Sequence, residues 1–266
     1  GAISHGHDAH RDMLIRFAGV SAEDPEVNTG EAWSVLNTDR AIDNWKVRYW
    51  QLEPTDLKGA LDKMAYEFGF ISKFSASNKL KYIYIKKASE LSALLNLTKD
   101  DIAKVSIKTT GLSEVVTKWE IANNKHPAPD NNSDNLVETT GRKSGYYSFT
   151  STSNSNRTKY NLGDKEGIVT TNLDMNVGTI PTTADPDCNA DWYSYMNNII
   201  GDMKILVNCQ VVNPAKGYQL ETGDIVTFTD MPVEMFGTDF ATDKYFMITE
   251  TQRSPGKVRI TAREVG

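Results

Sequence analysis

The feature that most constrains this chain is a run of strict two-residue alternation near its end. Ile205, Val207, Cys209 and Val211 alternate with Lys204, Asn208 and Gln210, and Val258, Ile260 and Ala262 alternate with Arg259, Thr261 and Arg263. Successive side chains of a strand point to opposite faces, so this period fits a half-buried sheet and does not fit a helix. Ser254-Pro255-Gly256 marks a hairpin between strands expected over 244–251 and 257–265, and two more strands are expected over 218–220 and 224–228. So many short neighbouring strands create edges, which a closed or nearly closed barrel removes. The expected fold class is α+β, mainly antiparallel β with a barrel-like C-terminal domain.

Upstream the period changes. Leu57, Ala60, Leu61, Met64, Ala65 and Phe68 recur every three or four residues, which predicts a helix capped by Thr55 or Asp56 and stopped by Gly69. Leu57, Leu61, Met64 and Phe68 are expected as its buried face. A strand over 45–51 precedes it and is ended by Pro54. Strands over 70–74 and 80–85 follow around a turn at 75–78, with Tyr82 and Tyr84 on one face and Ile83 and Ile85 on the other. Together these make a small strand–helix–hairpin α/β unit. A short helix over 88–95 and strands over 103–108 and 115–121 come next, then strands over 146–150, 156–162 and 167–177. A second clear helix over 189–200 carries Trp192, Tyr195, Met196, Ile199 and Ile200 on one stripe, and Gly201 closes it. Residues 126–144 hold too few apolar side chains to offset the entropy of ordering, so they read as a linker. Residues 1–10 read as a frayed tail, followed by a short helix bearing Met13, Leu14 and Phe17 and a loop-rich connector over 21–44. The expected domains are 1–44 (tail and connector), 45–125 (α/β unit) and 126–266 (barrel-like).

The chain offers little chemistry. Its net charge of −6 and pI near 5.3 argue against a sequence-specific nucleic-acid surface, which needs a dense positive footprint. No run approaches the roughly 18–20 apolar residues of a membrane-crossing helix, so no membrane insertion is expected. The sequence contains no GxSxG, no GxxxxGK[ST], no HExxH and no GxGxxG. The expectation is no enzyme: no catalytic, cofactor-binding or metal-binding residue, and no cofactor. His5, His7, His10 and Asp8 could ligate zinc or nickel, but a terminal glycine-containing segment offers no rigid outer shell, so a solvated tail is expected. His126 reads as a strand-end or interface residue. Cys188 and Cys209 are expected as free thiols, with a disulfide as the alternative. The aromatic residues are expected in the core; a sugar-binding platform around 146–160 is the competing reading, and a tail-associated hydrolase a third. Gly1 in place of Met reads as a tag remnant, and further sequence is expected upstream.

Three stretches carry a resemblance. Leu220-Glu221-Thr222-Gly223-Asp224-Ile225-Val226, with 245–249 and 256–265, resembles the closing barrel strands of bacteriophage tail hub and minor tail proteins. Residues 55–85 resemble the α/β insertion of the same proteins. Val115-Val116-Thr117-Lys118-Trp119, with Lys125-His126-Pro127-Ala128, resembles a segment of marine-phage structural proteins. The resemblance implies a structural virion component at the tail tip, made in the bacterial host cytoplasm. Its partners would be other copies of itself in a ring, with a trimer as one stoichiometry, and neighbouring tail proteins. It also implies a first barrel upstream of the α/β unit, which this sequence does not contain.

Overall fold

The computed structural model describes residues 3–28, 32–42, 45–49, 56–86, 90–123, 142–143, 146–176, 190–231 and 244–266. The helices are α1 (Gly6–Ala18), α2 (Trp33–Ile42), α3 (Leu57–Glu67), α4 (Asn154–Lys159), α5 (Ala190–Ile200) and α6 (Pro214–Gly217). The strands are β1 (Glu26–Val27), β2 (Ile71–Phe74), β3 (Leu80–Ile83), β4 (Leu95–Thr98), β5 (Ile102–Thr109), β6 (Lys118–Asn123) and β7 (Arg142–Lys143). They continue with β8 (Tyr146–Thr152), β9 (Ile168–Leu173), β10 (Ile205–Val211), β11 (Ile225–Thr229), β12 (Tyr245–Ser254) and β13 (Lys257–Val265). The chain divides into two units, each drawn from three separated stretches. The first comprises Gly1–Pro25, Ala32–Ser72 and Val116–Asn197; the second comprises Glu26–Glu31, Lys73–Val115 and Asn198–Gly266. The boundaries read from sequence, at 44 and 125, do not coincide with this division.

The second unit is built on a six-stranded sheet of order β4-β11-β12-β13-β10-β5. Its edge strands β4 and β5 are separated in sequence by only Lys99, Asp100 and Asp101. Four Cα steps reach at most about 14 Å, whereas the edges of a flat six-stranded sheet lie about 24 Å apart. The sheet therefore has to curl, and it forms a half-barrel. The inward positions are those the alternation marked: Val207, Cys209 and Val211 on β10, and Val258, Ile260 and Ala262 on β13, all fully buried. The hairpin joining β12 to β13 pairs Ser254 with Lys257, and Gly256 takes φ +75° in its tight turn.

A second, three-stranded sheet of order β1-β3-β2 belongs largely to the same unit, with β1 parallel to β3. Tyr82, Ile83 and Tyr84 are all buried, so β3 is covered on both faces. Two expectations for this unit need correction. Residues 218–220 form a turn after α6, and the buried Leu220 plugs the half-barrel core instead of pairing in a ladder. The described part of 88–95 is not an α-helix: Leu91 packs on Ile225 and Val265, and Leu95 already pairs with Val226 in β4.

In the first unit, β6 runs antiparallel to β8 and parallel to β9 in a sheet of order β7-β8-β6-β9. Trp119 on β6 meets Trp192 of α5 edge-on at 5.1 Å, and Tyr66 of α3 meets Trp192 at 5.8 Å. The expected strand over 156–162 is instead α4 and a following turn. Arg157 explains this, since its guanidinium donates to Thr117 Oγ1 and to the Gly163 and Glu166 carbonyls. These acceptors gather around one side chain only if the backbone coils. The expected strand over 45–51 reduces, in its described part, to isolated bridges of Lys46 to His5 and of Val47 to Asn176.

The N-terminal readings change most. Residues 6–10 are helical, and α1 buries Gly6, His7 and His10. A Cβ on Gly6 would lie 2.1 Å from Cγ of Phe68, so only glycine lets the helix seat on that ring. Met13 and Leu14 are half-buried and Phe17 is 70% exposed, so the buried face lies a turn before the expected one. The connector contains α2, whose Trp33, Leu36 and Arg40 are buried at helical spacing.

Helix α3 begins where expected, with Asp56 accepting from Gly59 N–H at 2.7 Å. It ends in a left-handed Gly69 at φ +63°, with Phe70 N–H reaching Ala65 O and Gly69 N–H reaching Tyr66 O. Met64 and Phe68 are buried as expected, but Leu57 and Leu61 are only half-buried, and Ala60 and Glu67 take the buried positions. The pairing of Cys188 with Cys209, the position of His126 and the linker up to residue 141 fall outside the described residues. Met64→Ala should therefore cost about 2–5 kcal/mol and Leu61→Ala clearly less. Urea denaturation midpoints of the two variants will show whether that order holds.

Candidate functional site

The His-rich segment is a packed contact and not a solvated tail. His7 Nε2 lies 3.1 Å from Asn37 Oδ1 on α2, and its ring meets Trp33 edge-on at 5.0 Å. His10 Nε2 lies 3.4 Å from Ser72 Oγ, and its ring meets Phe70 edge-on at 5.1 Å. Both rings are almost wholly enclosed. Burial holds each imidazole well below its ordinary range, at about 4, against the opposing pull of Asp8 on His7 and of Asp62 on His10. Among the described residues, no group of three or more His, Cys, Asp or Glu side chains is arranged to hold a metal ion.

Two sites that the sequence did not flag organise the same unit. Glu67, fully buried at the end of α3, accepts from the backbone N–H groups of Asp174, Met175 and Asn176 at 3.0, 2.7 and 2.8 Å. Asn176 Nδ2 in turn donates to Glu67 O at 2.7 Å. Burial pushes the carboxyl up to about 7, opposed by the amides of Asn176, Met175 and Asp174 and by Lys63. A raised carboxyl in a cleft would suggest a general acid, but here the carboxyl is fully buried and its oxygens accept from backbone amides. Arg40 lies over the rings of Trp45 and Tyr195, at 4.4 and 5.1 Å. It shares the Gly69 carbonyl with Tyr195 Oη, the two donors standing 3.0 and 2.7 Å from that oxygen. The usable signal was the spacing Trp33, Leu36, Arg40, which is one face of a helix.

In the second unit the Glu221-Thr222-Gly223-Asp224 motif proves to be a clamp. Asp224 Oδ2 accepts from Glu221 N–H at 2.7 Å, and Oδ1 takes the ammonium of the buried Lys81 at 3.1 Å. Gly223, at φ +96°, donates to Ile248 O; a Cβ there would meet the Ile83 side chain at 2.7 Å. The half-barrel corner is clamped similarly. Asp101 accepts from Lys216 Nζ at 2.6 Å, from Asn213 Nδ2 at 2.9 Å and from both Thr98 N–H and Oγ1 at 3.0 Å. Lys216 foremost holds its carboxyl far below the usual range.

No protein-family model matches the sequence, and no curated protein matches it. Solved structures do share its architecture. A chain of the virion of the native gene transfer agent particle superposes at TM-score 0.51 with 12% identity, over 83% of this chain and 42% of that one. The tail protein from Neisseria meningitidis MC58 superposes at TM-score 0.51 with 8% identity, over 98% of this chain and 66% of that one. The fold is that of a phage tail protein. This chain spans less than two thirds of the length of either structure.

Both edges of the six-stranded sheet, among the described residues, are short or irregular. β4 is four residues long, and Asn96 on it is engaged by Thr227 and Thr229. β5 is broken by a bulge opposite β10, with Lys104 at φ +52°. Short, bulged and lysine-bearing edges resist pairing with another chain. The aromatic-platform reading rests on residues 146–160, of whose aromatic side chains only that of Tyr160 is described. Trp33, Trp45, Trp119 and Trp192 are buried, and Tyr160 is half-buried beside Lys159. The side chains of Tyr146, Tyr147 and Phe149 lie outside the described residues.

These shifts set a pH dependence. His7 and His10 titrate near 4 when folded and near 6.5 when unfolded, so the unfolded chain binds more protons in that window and stability falls as pH drops from 6.5 to 4. Glu67 acts oppositely, weakening the fold as pH rises from about 4.5 to 7. The melting temperature should drop across the acid window, and His10→Gln should flatten that slope. Glu67→Gln should remove the opposing contribution, leaving a steeper rise of stability with pH. Thermal melts at pH 4.5, 5.5, 6.5 and 7.5 will test both.

Proposed function

We propose that this protein is a structural component of a phage tail or baseplate, of the hub type, with no catalytic role. It is made in the host cytoplasm and ends in the virion tail, where it holds other copies of itself in a ring and joins them to adjoining tail proteins. The observation that carries this reading is the likeness of fold, over 83% and 98% of the chain, to a gene transfer agent virion chain and to a Neisseria tail protein. The ionisable groups agree with it. Glu67, Asp101 and Asp224, the buried acids a catalyst would need to expose, are each consumed by backbone amides or lysines.

The test is made on the full-length protein by light scattering and electron microscopy across a concentration series, with turnover assays on glycan and peptide substrates. A ring-shaped oligomer without turnover is expected. A strictly monomeric chain that cleaves either substrate would overturn the proposal.

A further inference from the structure

A strand at the end of a sheet leaves its outward backbone groups unpaired, and charge, bulges and shortness are what keep other chains from pairing there. Most sheet-terminal strands of this chain carry such features. β4 is four residues long, β5 is bulged and bears Lys104, β2 bears Lys73, and β1 and β7 are two residues each, β7 being Arg142–Lys143. β9 has none of them. It is the outermost strand of the sheet β7-β8-β6-β9, and its register with β6 runs unbroken from Ile168 opposite Lys118 to Leu173 opposite Asn123. Its sequence, Ile168-Val169-Thr170-Thr171-Asn172-Leu173, holds no charge, proline or glycine. Ile168, Val169, Thr170 and Thr171 are β-branched, a residue type that favours a pleated strand.

Among the described residues, the backbone of β9 pairs with β6 and with no other segment. The charges that border it are already neutralised within the first unit. Thr170 Oγ1 donates to Glu120 Oε2 at 3.2 Å, Glu120 pairs with Lys118 at 3.0 Å, and Lys63 holds Asp174, the first residue past the strand. On the other face of the strand, Tyr66 Oη of α3 lies 3.1 Å from Thr171 Oγ1, and Tyr66 is 42% exposed. A ring left open beside an unpaired strand edge is surface that an added strand would cover.

Unpaired backbone donors and acceptors in strand geometry take one kind of partner, another extended chain. We propose that this partner is β9 of a second copy, running antiparallel about a twofold axis at Thr171. The sequence is its own complement in that register. Read outward from Thr171 in either direction, a polar residue comes first (Thr170, Asn172) and an apolar one second (Val169, Leu173). Thr171 therefore meets its counterpart, Val169 meets Leu173 on the face that α3 covers, and Thr170 meets Asn172 on the open face. Such matched cross-strand pairs stabilise an antiparallel ladder, and no like charges are opposed. A one-residue slip would set the helix-covered face of one copy level with the open face of the other, so the register is specified. The pairing joins the two four-stranded sheets and brings Tyr66 of each copy to the axis. A twofold contact closes on itself. It pairs copies and makes no ring, so it is additional to the ring contact of the assembly reading and does not depend on it.

The experiment is sedimentation velocity on the full chain across a concentration series, comparing wild type with the double variant Thr170→Lys, Asn172→Lys. Both side chains are exposed, so far-UV circular dichroism and melting temperature should stay as in wild type. The lysines would face each other across the axis and should weaken self-association about tenfold or more. The neutral variant Thr170→Ser, Asn172→Ser should associate as wild type does. In wild type, amide hydrogen exchange at residues 168–173 should slow as the chain associates, a readout that needs no variant. If the lysine variant associates normally, or if exchange at 168–173 is the same in monomer and oligomer, the proposal fails; rings seen by electron microscopy in that case leave the assembly reading standing. A wild type that stays monomeric at every concentration overturns the proposal. If that monomer binds a labelled peptide of alternating Val and Thr while the lysine variant does not, the edge belongs to a strand of another protein.

Discussion

The structure of the second unit depends on a three-residue link. Because Lys99, Asp100 and Asp101 must join the two outermost strands of a six-stranded sheet, the sheet cannot remain open and flat. Curling gathers the inward side chains of β10, β11, β12 and β13 into one apolar core, where Phe228 meets Phe246 edge-on at 5.1 Å. Asp101 holds that link by four hydrogen bonds, one from a lysine. A carboxylate so satisfied stays ionised at low dielectric cost, which is why a charged residue can be buried at the corner on which the curl turns.

A similar gathering of partners occurs at Glu67 and Asp224, although burial pushes the Glu67 carboxyl up to about 7. In each case an acid at the end of an element gathers backbone amides or a lysine from a sequence-distant segment of its own unit, 107 to 109 residues away for Glu67 and 143 for Asp224 and Lys81. These are clasps between segments. Removing one partner from such a clasp leaves the other buried without its hydrogen bonds, which is costly.

Local pattern was a good guide wherever one element buried one face. The alternation on β10 and β13, the Pro-Gly hairpin, the Asp56 cap and Gly69 stop of α3, and the stripe on α5 all follow from side-chain period or backbone freedom, properties of a short stretch of chain. It failed where burial is decided by a remote partner. His7 and His10 look like solvent-facing residues until Asn37, Trp33, Ser72 and Phe70 enclose them. The polar stretch at 154–159 coils because Arg157 collects acceptors from residues 117, 163 and 166. Leu61 matches the helical stripe as well as Met64 does, yet neighbouring elements cover one and only partly cover the other.

By itself, then, the sequence determined the period of each well-patterned element, the turns that need glycine, and an α+β class rich in short strands. These are set by steric limits on φ and ψ and by which side chains favour water, both acting over a few residues. Tertiary structure alone decided that the units interleave along the chain, that an N-terminal His-bearing helix is packed and not loose, and that Glu67 gathers the amides of Asp174, Met175 and Asn176. Each of those depends on bringing together residues far apart in sequence. The free energy that selects the arrangement belongs to the completed contact and is absent from either segment taken alone.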